Sequence, residues 1–129
     1  MTRNRSAQTI FNIAARRLYK QGKRAVNING DCMYRASDGC KCAIGANIPD
    51  RFYFPRMEGL SITALKRDFP EVAPYIYGDA KGFLGYLQLV HDDPGNWSDE
   101  PFPRKALAAL ARGYNLKTNV LDALPVKLP

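Results

Sequence analysis

Cys32, Cys40 and Cys42 stand within eleven residues of one another, and the chain has one histidine, His91. A structural zinc of the Cys₃His kind needs four such ligands converging on a tetrahedron, and these four residues could just supply them. The spacing argues against it: C-x₇-C followed by C-x-C is not the two-to-four-residue knuckle that usually presents paired thiolates. The plainer reading is two buried, core-like thiols and a chance neighbour, because free cysteine is commonly buried. No metal and no cofactor is therefore expected. A thiol enzyme centred on Cys42 is the catalytic alternative, with His91 as base and Asp92 or Asp93 orienting the imidazole. It requires Cys42 to have a lowered pKa and to meet His91 in space. Against it, a lone histidine at the edge of an apolar helix face is more often a packing residue.

No other pattern reads as catalytic. The chain has no phosphate-cradling glycine loop, nucleophile elbow or H-E-x-x-H helix. The paired acids Asp92–Asp93 and Asp99–Glu100 fall on turns, where solvation is the simpler account.

The elements that must position these residues follow from periodicity and caps. A helix over 7–21 is expected, with Ser6 as N-cap and Gly22 just past its end. Ala7, Ile10, Phe11, Ala14 and Leu18 share its apolar face, while Thr9, Arg16 and Lys20 face away and Arg17 flanks them. Residues 23–39 read as a β-hairpin, with Ala25–Ile28 and Cys32–Arg35 flanking Asn29–Gly30 as a type I′ turn. A third strand or helix start is expected at 41–45. Segment 46–59, broken by Pro49 and Pro55, reads as an ordered loop. Further helices are expected over 62–68, 80–92 and 103–112, with a last turn before Pro125. An attempted helix-turn-helix alignment about Gly113 fails in register, since it puts Asn119 and Asp122 at buried positions. The expected fold class is α+β: one domain over 1–129, with a small antiparallel sheet of two or three strands packed against four to five helices.

The chain has 129 residues and a formal net charge of +7. Of its 19 lysines and arginines, seven lie in residues 1–30 (Arg3, Arg5, Arg16, Arg17, Lys20, Lys23 and Arg24), and no acid accompanies them. From Asp31 onward 12 basic and 12 acidic residues balance. Such asymmetry points to an anionic partner. Arg16, Arg17, Lys20, Lys23 and Arg24, joined by Arg35 in the hairpin, are the candidate nucleic-acid or anion site. Arg3 and Arg5 are a candidate flexible arm, and Tyr19 and Tyr34 are candidate stacking residues. The competing reading is a solvated helix face that aids solubility. The apolar runs fall far short of a membrane span of about 20 residues. The first residues lack a signal-peptide core, and three cysteines make a poor disulfide framework. A cytoplasmic protein with no membrane partner is expected.

The stretch Cys32-Met-Tyr-Arg35, Gly39-Cys-Lys-Cys42-Ala-Ile-Gly45, Ile48-Pro-Asp50, Tyr53 and Pro55-Arg-Met-Glu-Gly59 resembles a group of small uncharacterised proteins of phages, prophages and bacteria. Their shared pattern is close to C-x-Y-R-G, G-x-K-C-A-V-G-x-L-I-P-D and Y-x-P-x-M-E-G. Ala36 departs from it where glycine is usual, Asn47 where leucine is usual, and Cys40 occupies an open position. The resemblance carries no activity over to particular residues. It implies a non-enzymatic binding protein of phage or mobile-element type that engages a host factor, with inhibition of antiviral defence as one form of that role. The residues offer a nucleic-acid or nucleotide-binding module on the basic stripe as the alternative. The glycines and prolines of segment 45–59 fit turns and packing. Arg35, Lys41, Asp50 and Glu58 could instead line a pocket there.

Overall fold

The helices form where the apolar periodicity and the caps place them. In the computed structural model, which describes residues 3–128, α1 spans Ala7–Gln21. The Ser6 hydroxyl accepts from the Thr9 amide at 3.2 Å, and the amide of Gly22 closes the other end on the Leu18 carbonyl. Ile10, Phe11, Ala14, Ala15 and Leu18 are its fully buried stripe. α2 spans Ile62–Asp68, capped by the Ser61 hydroxyl on the Ala64 amide at 3.1 Å. A run of 3₁₀ turns, Pro70–Ile76, follows it. α3 spans Phe83–Asp92, α4 Arg104–Gly113 and α5 Asn119–Asp122. Met1, Thr2 and Pro129, the outermost residues of the 1–129 domain, lie outside the described residues.

The expected sheet is absent, and the α+β class is corrected to a helical fold. Among the described residues no β-strand forms; two isolated antiparallel bridges, Val26 with Cys32 and Arg35 with Lys41, stand in its place. The reason lies in the turns. Gly30 N–H bonds to the Asn27 carbonyl, so the first turn runs Asn27–Gly30 with Gly30 at φ 84° and Asn29 outside the left-handed region. A type I′ turn centred on Asn29–Gly30 would need positive φ at both. The second turn repeats this geometry at Ala36–Gly39, with Gly39 at φ 89°. Side chains then occupy the backbone groups that a ladder would use. Asn27 Oδ1 accepts from the amides of Asn29 and Asp31, both at 2.9 Å. Asp38 Oδ1 accepts from the Cys40 amide at 2.9 Å. Such local side-chain bonds compete with sheet formation.

Segment 23–60 is thus two bridged turns in series followed by 3₁₀ turns at Gly45–Asn47, Asp50–Phe52 and Pro55–Met57. Gly45 is where this segment packs on itself: a Cβ there would sit 1.9 Å from the Tyr34 carbonyl oxygen, so no larger residue fits. One core joins the two halves, from Ile10, Phe11 and Leu18 of α1 through Ile44, Ile48 and Met57 to Leu84 and Leu87 of α3, Leu107 of α4 and Leu121 of α5. No helix among the described residues is long and apolar enough to cross a membrane.

Candidate anion-binding face

α1 and segment 38–51 lie side by side because two side-chain amides clamp them together. Gln21, at the end of α1, accepts on Oε1 from the Lys41 amide at 2.9 Å and donates from Nε2 to the Lys41 carbonyl at 2.7 Å. One side chain thereby pairs with both backbone groups of a residue, as a neighbouring strand would. At the other end, buried Asn47 donates from Nδ2 to the carbonyls of Ile10 and Ala43, each at 3.2 Å. Arg5 Nη1 donates in turn to the Asn47 carbonyl and Oδ1. Asn47, where the resembling group favours leucine, is therefore a polar clamp rather than an apolar contact.

Two depressions remain along this seam. The first, about 400 Å³, is bounded by Arg5, Ile13, Lys41, Asp50, Arg51 and Tyr75. The second, about 370 Å³, is bounded by Arg17, Lys20, Gln21, Asp38, Gly39 and Cys40. Ile13, a poor fit to the buried stripe of α1, is half-buried at the edge of the first.

The six sequence candidates do not form one row. Arg16 and Lys20 lie exposed on α1, and neither meets a carboxylate among the described residues. Arg16 sits three residues past Ile13 and four before Lys20, which sets it on the helix face between the two depressions. Arg17 is tethered, donating from Nη2 to the Gly39 carbonyl at 2.6 Å and from Nε to Gln21 at 3.2 Å. Lys23 pairs with Asp38 at 3.0 Å, both exposed, an arrangement worth little in water. Arg24 leaves the row and donates to the Asp92 carbonyl at 3.1 Å. Arg35 is taken up by the Ile48 carbonyl and by Asp50, each at 2.8 Å, and stacks over the Tyr53 ring.

Arg5 is not an arm. Its guanidinium lies over the Tyr75 ring at 4.8 Å, and burial lowers its pKa. Arg51 Nη2 donates to the Tyr75 hydroxyl at 3.1 Å. The acids of the face are Asp38 and Asp50. The Cys40 amide, and then Lys23, hold Asp38 down at about 2. Lys41, and then Arg35, lower Asp50. Neither candidate stacking ring is open: Tyr34 is buried with its hydroxyl on the Leu60 carbonyl, and Tyr19 donates to the Pro125 carbonyl and packs edge-on against Phe102.

Of the residues proposed to line a pocket in segment 45–59, Arg35 and Lys41 meet Asp50, whereas Glu58 turns elsewhere. Its carboxylate accepts from the amides of Tyr34 and Arg35, at 2.8 and 3.0 Å, and from the Tyr53 hydroxyl at 2.6 Å. It is a cross-link of the segment.

The thiols follow a different logic. Cys42 is fully buried, its Sγ accepts from the Gly45 amide at 3.2 Å, and burial pushes the thiol up to about 12. Cys40 is buried beside Ala25 and Ala36, apart from the main core. The structure gathers Cys32, His91 and Asp92 instead, with one ligand atom of each within 4.8 Å of the others. That trio does not suit a metal. His91 Nε2 accepts from the Ala25 amide at 2.9 Å, which leaves the proton on Nδ1, directed at Asp92 Oδ1 at 2.8 Å. Coordination through Nδ1 would move that proton to Nε2 and set it against the Ala25 N–H. Burial, and then Asp92, push the Cys32 thiol up to about 11, the opposite of what a nucleophile needs.

Gln21, Arg51 and Tyr75 escaped the sequence reading, which held Arg5 only as an arm and Asn47 only as a departure from a pattern, because neutral amides and arginines next to aromatics follow no fixed spacing. No family model matches the chain, and comparison with curated proteins and with solved structures also gives no match.

Proposed function

We propose that this chain is a binding protein that engages nucleic acid through the seam between α1 and segment 38–51. The observation that carries the reading is that Arg16 and Lys20 are exposed and have no carboxylate partner among the described residues, Lys20 at the rim of the second depression and Arg16 one turn before it on α1, while Arg5, Lys41 and Arg51 edge the first depression and Arg17 the second. Only Asp38 and Asp50 oppose them there. Phosphates neutralised by such cations release condensed counterions, which gives affinity that falls steeply with salt. With Tyr19 and Tyr34 both engaged internally, contact runs to the backbone more than to the bases, and weak sequence preference follows. A binder rather than an enzyme is favoured by the burial of Cys42 and the raised thiols of Cys32 and Cys42. In the phage-type setting that the sequence resemblance implies, the polyanion would be a nucleic acid met in the host cytoplasm.

Fluorescence anisotropy with labelled oligonucleotides tests this. Neither Arg16 nor Lys20 makes an ion pair among the described residues, so the Arg16→Glu, Lys20→Glu double variant breaks none. It should bind about tenfold or more weakly, with the log–log salt slope flatter by about two. A folded double variant with unchanged affinity, or wild-type binding indifferent to salt, overturns the reading.

A further inference from the structure

Tyr75 holds two guanidiniums at once. Arg5 lies over its ring at 4.8 Å, and Arg51 donates to its hydroxyl at 3.1 Å. Neither arginine has a carboxylate within ion-pair distance among the described residues. The hydrogen-bond partners of Arg5 are the carbonyl and side-chain oxygen of Asn47, both neutral. A partly buried cation with only neutral partners is an unbalanced arrangement. The one carboxylate at this depression is Asp50, and it is already shared by Arg35 at 2.8 Å and Lys41 at 3.3 Å. It also points outward, with its side chain 83% exposed. Three cations, Arg5, Lys41 and Arg51, therefore line the depression with a single, outward-facing acid that Lys41 already shares with Arg35.

We infer that the depression bounded by Arg5, Lys41, Arg51 and Tyr75 is a subsite for a phosphate monoester, the end group of a nucleotide or of a nucleic-acid strand. A monoester carries close to two negative charges at neutral pH, where a backbone diester carries one. The local excess of cations suits the dianion. Arginine presents several donors in a fixed fork that matches phosphate oxygens, and the Tyr75 contacts hold both forks in place before the ligand arrives. The volume, about 400 Å³, lies within the range of small-ligand sites and leaves room for a sugar beside the phosphate. This inference rests on the reading of the seam as a phosphate-binding face, and it assigns the end group to one end of that face.

The test compares one oligonucleotide with a 5′-phosphate and with a 5′-hydroxyl, alongside calorimetry with inorganic phosphate and with a nucleoside 5′-monophosphate. The phosphorylated strand should bind about fivefold tighter. Arg51→Gln and, separately, Tyr75→Phe should erase that preference, so that within each variant the phosphorylated and the hydroxyl strand bind alike. Thermal melting of each variant confirms that it is folded. Binding of the nucleoside 5′-monophosphate should weaken as pH falls through about 6, where the dianion takes up a proton. A nucleoside monophosphate that binds and is lost in Arg51→Gln, with no strand preference, assigns the subsite to free nucleotides. Equal affinity for both strands with no binding of either small phosphate overturns the subsite and leaves the nucleic-acid reading standing. Small phosphates that bind while no oligonucleotide does would sustain the subsite and overturn that reading.

Discussion

The helical half of the molecule and segment 23–60 are held together by different physics. In α1, α3 and α4 the backbone satisfies itself, and apolar side chains such as Phe11, Leu18, Leu87 and Leu107 supply cohesion by burial. In segment 23–60 few backbone groups pair with a neighbouring strand. Polar side chains take that place, Gln21 for Lys41, His91 for Ala25 and Gln88 for the Ile44 amide from outside the segment, and Glu58 for Tyr34 and Arg35 from within it. The difference explains how a segment without a sheet stays ordered. It also separates the two kinds of damage that a mutation can do.

The largest effect belongs to the apolar half. Leu18→Ala should cost about 3 kcal/mol of global stability, from the lost burial and the cavity left behind. Urea denaturation checks it, and the transition should stay single, because the core runs through both halves. A loss well below about 1 kcal/mol would mean that α1 does not carry the core.

Glu58→Gln should come next, at about 2 kcal/mol. The carboxylate faces three donors, the amides of Tyr34 and Arg35 and the Tyr53 hydroxyl, and an amide NH₂ would set a donor against a donor. Hydrogen exchange should show protection lost at the Tyr34 and Arg35 amides while the amides of α3 and α4 keep theirs relative to global unfolding. If exchange rises uniformly, the two halves do not differ in the way described.

The same division sets what could be read from the sequence. α1 and α2 are legible in the sequence, because Ser6 and Ser61 are caps, Gly22 closes α1, and Pro70 follows the inward-facing Phe69 at the end of α2. α3 was expected three residues early, since a 3₁₀ turn at Ala80–Gly82 precedes it with Lys81 and Gly82 at positive φ. The hairpin signal of Asn29–Gly30 fails because the nearby Asn27 and Asp38 side chains take amides that a ladder would use, and distant side chains then hold the segment in place. His91 lies 66 residues from the Ala25 amide that it accepts from, and Glu58 lies 24 from that of Tyr34. The basic character of α1 was legible from Arg16 and Lys20. That Arg24 and Arg35 would be drawn off by Asp92 and Asp50, and that Arg5 and Arg51 would join the face through Tyr75, depends on tertiary contacts that no local pattern encodes.

The smallest effect is the most local test of the contrast, in the second turn. Asp38 titrates at about 2 rather than 3.8, and the Cys40 amide is the larger cause, ahead of Lys23. Its folded pKa is depressed, so its contribution to stability is present above about pH 4 and is lost as pH falls from about 4 through about 2. If backbone capture by side chains governs this segment, Lys23→Met should leave Asp38 titrating well below the ordinary carboxylate value, with only part of the shift given up. Added salt should move it little, because the amide bond is short-ranged while the exposed ion pair is screened. NMR titration of the Asp38 carboxyl carbon measures this directly. Return to the ordinary value in Lys23→Met would make the ion pair the governing contact and would bind Lys23 to the turn. Retention of a low value leaves Lys23 free to turn from Asp38 toward a phosphate on the rim of the second depression.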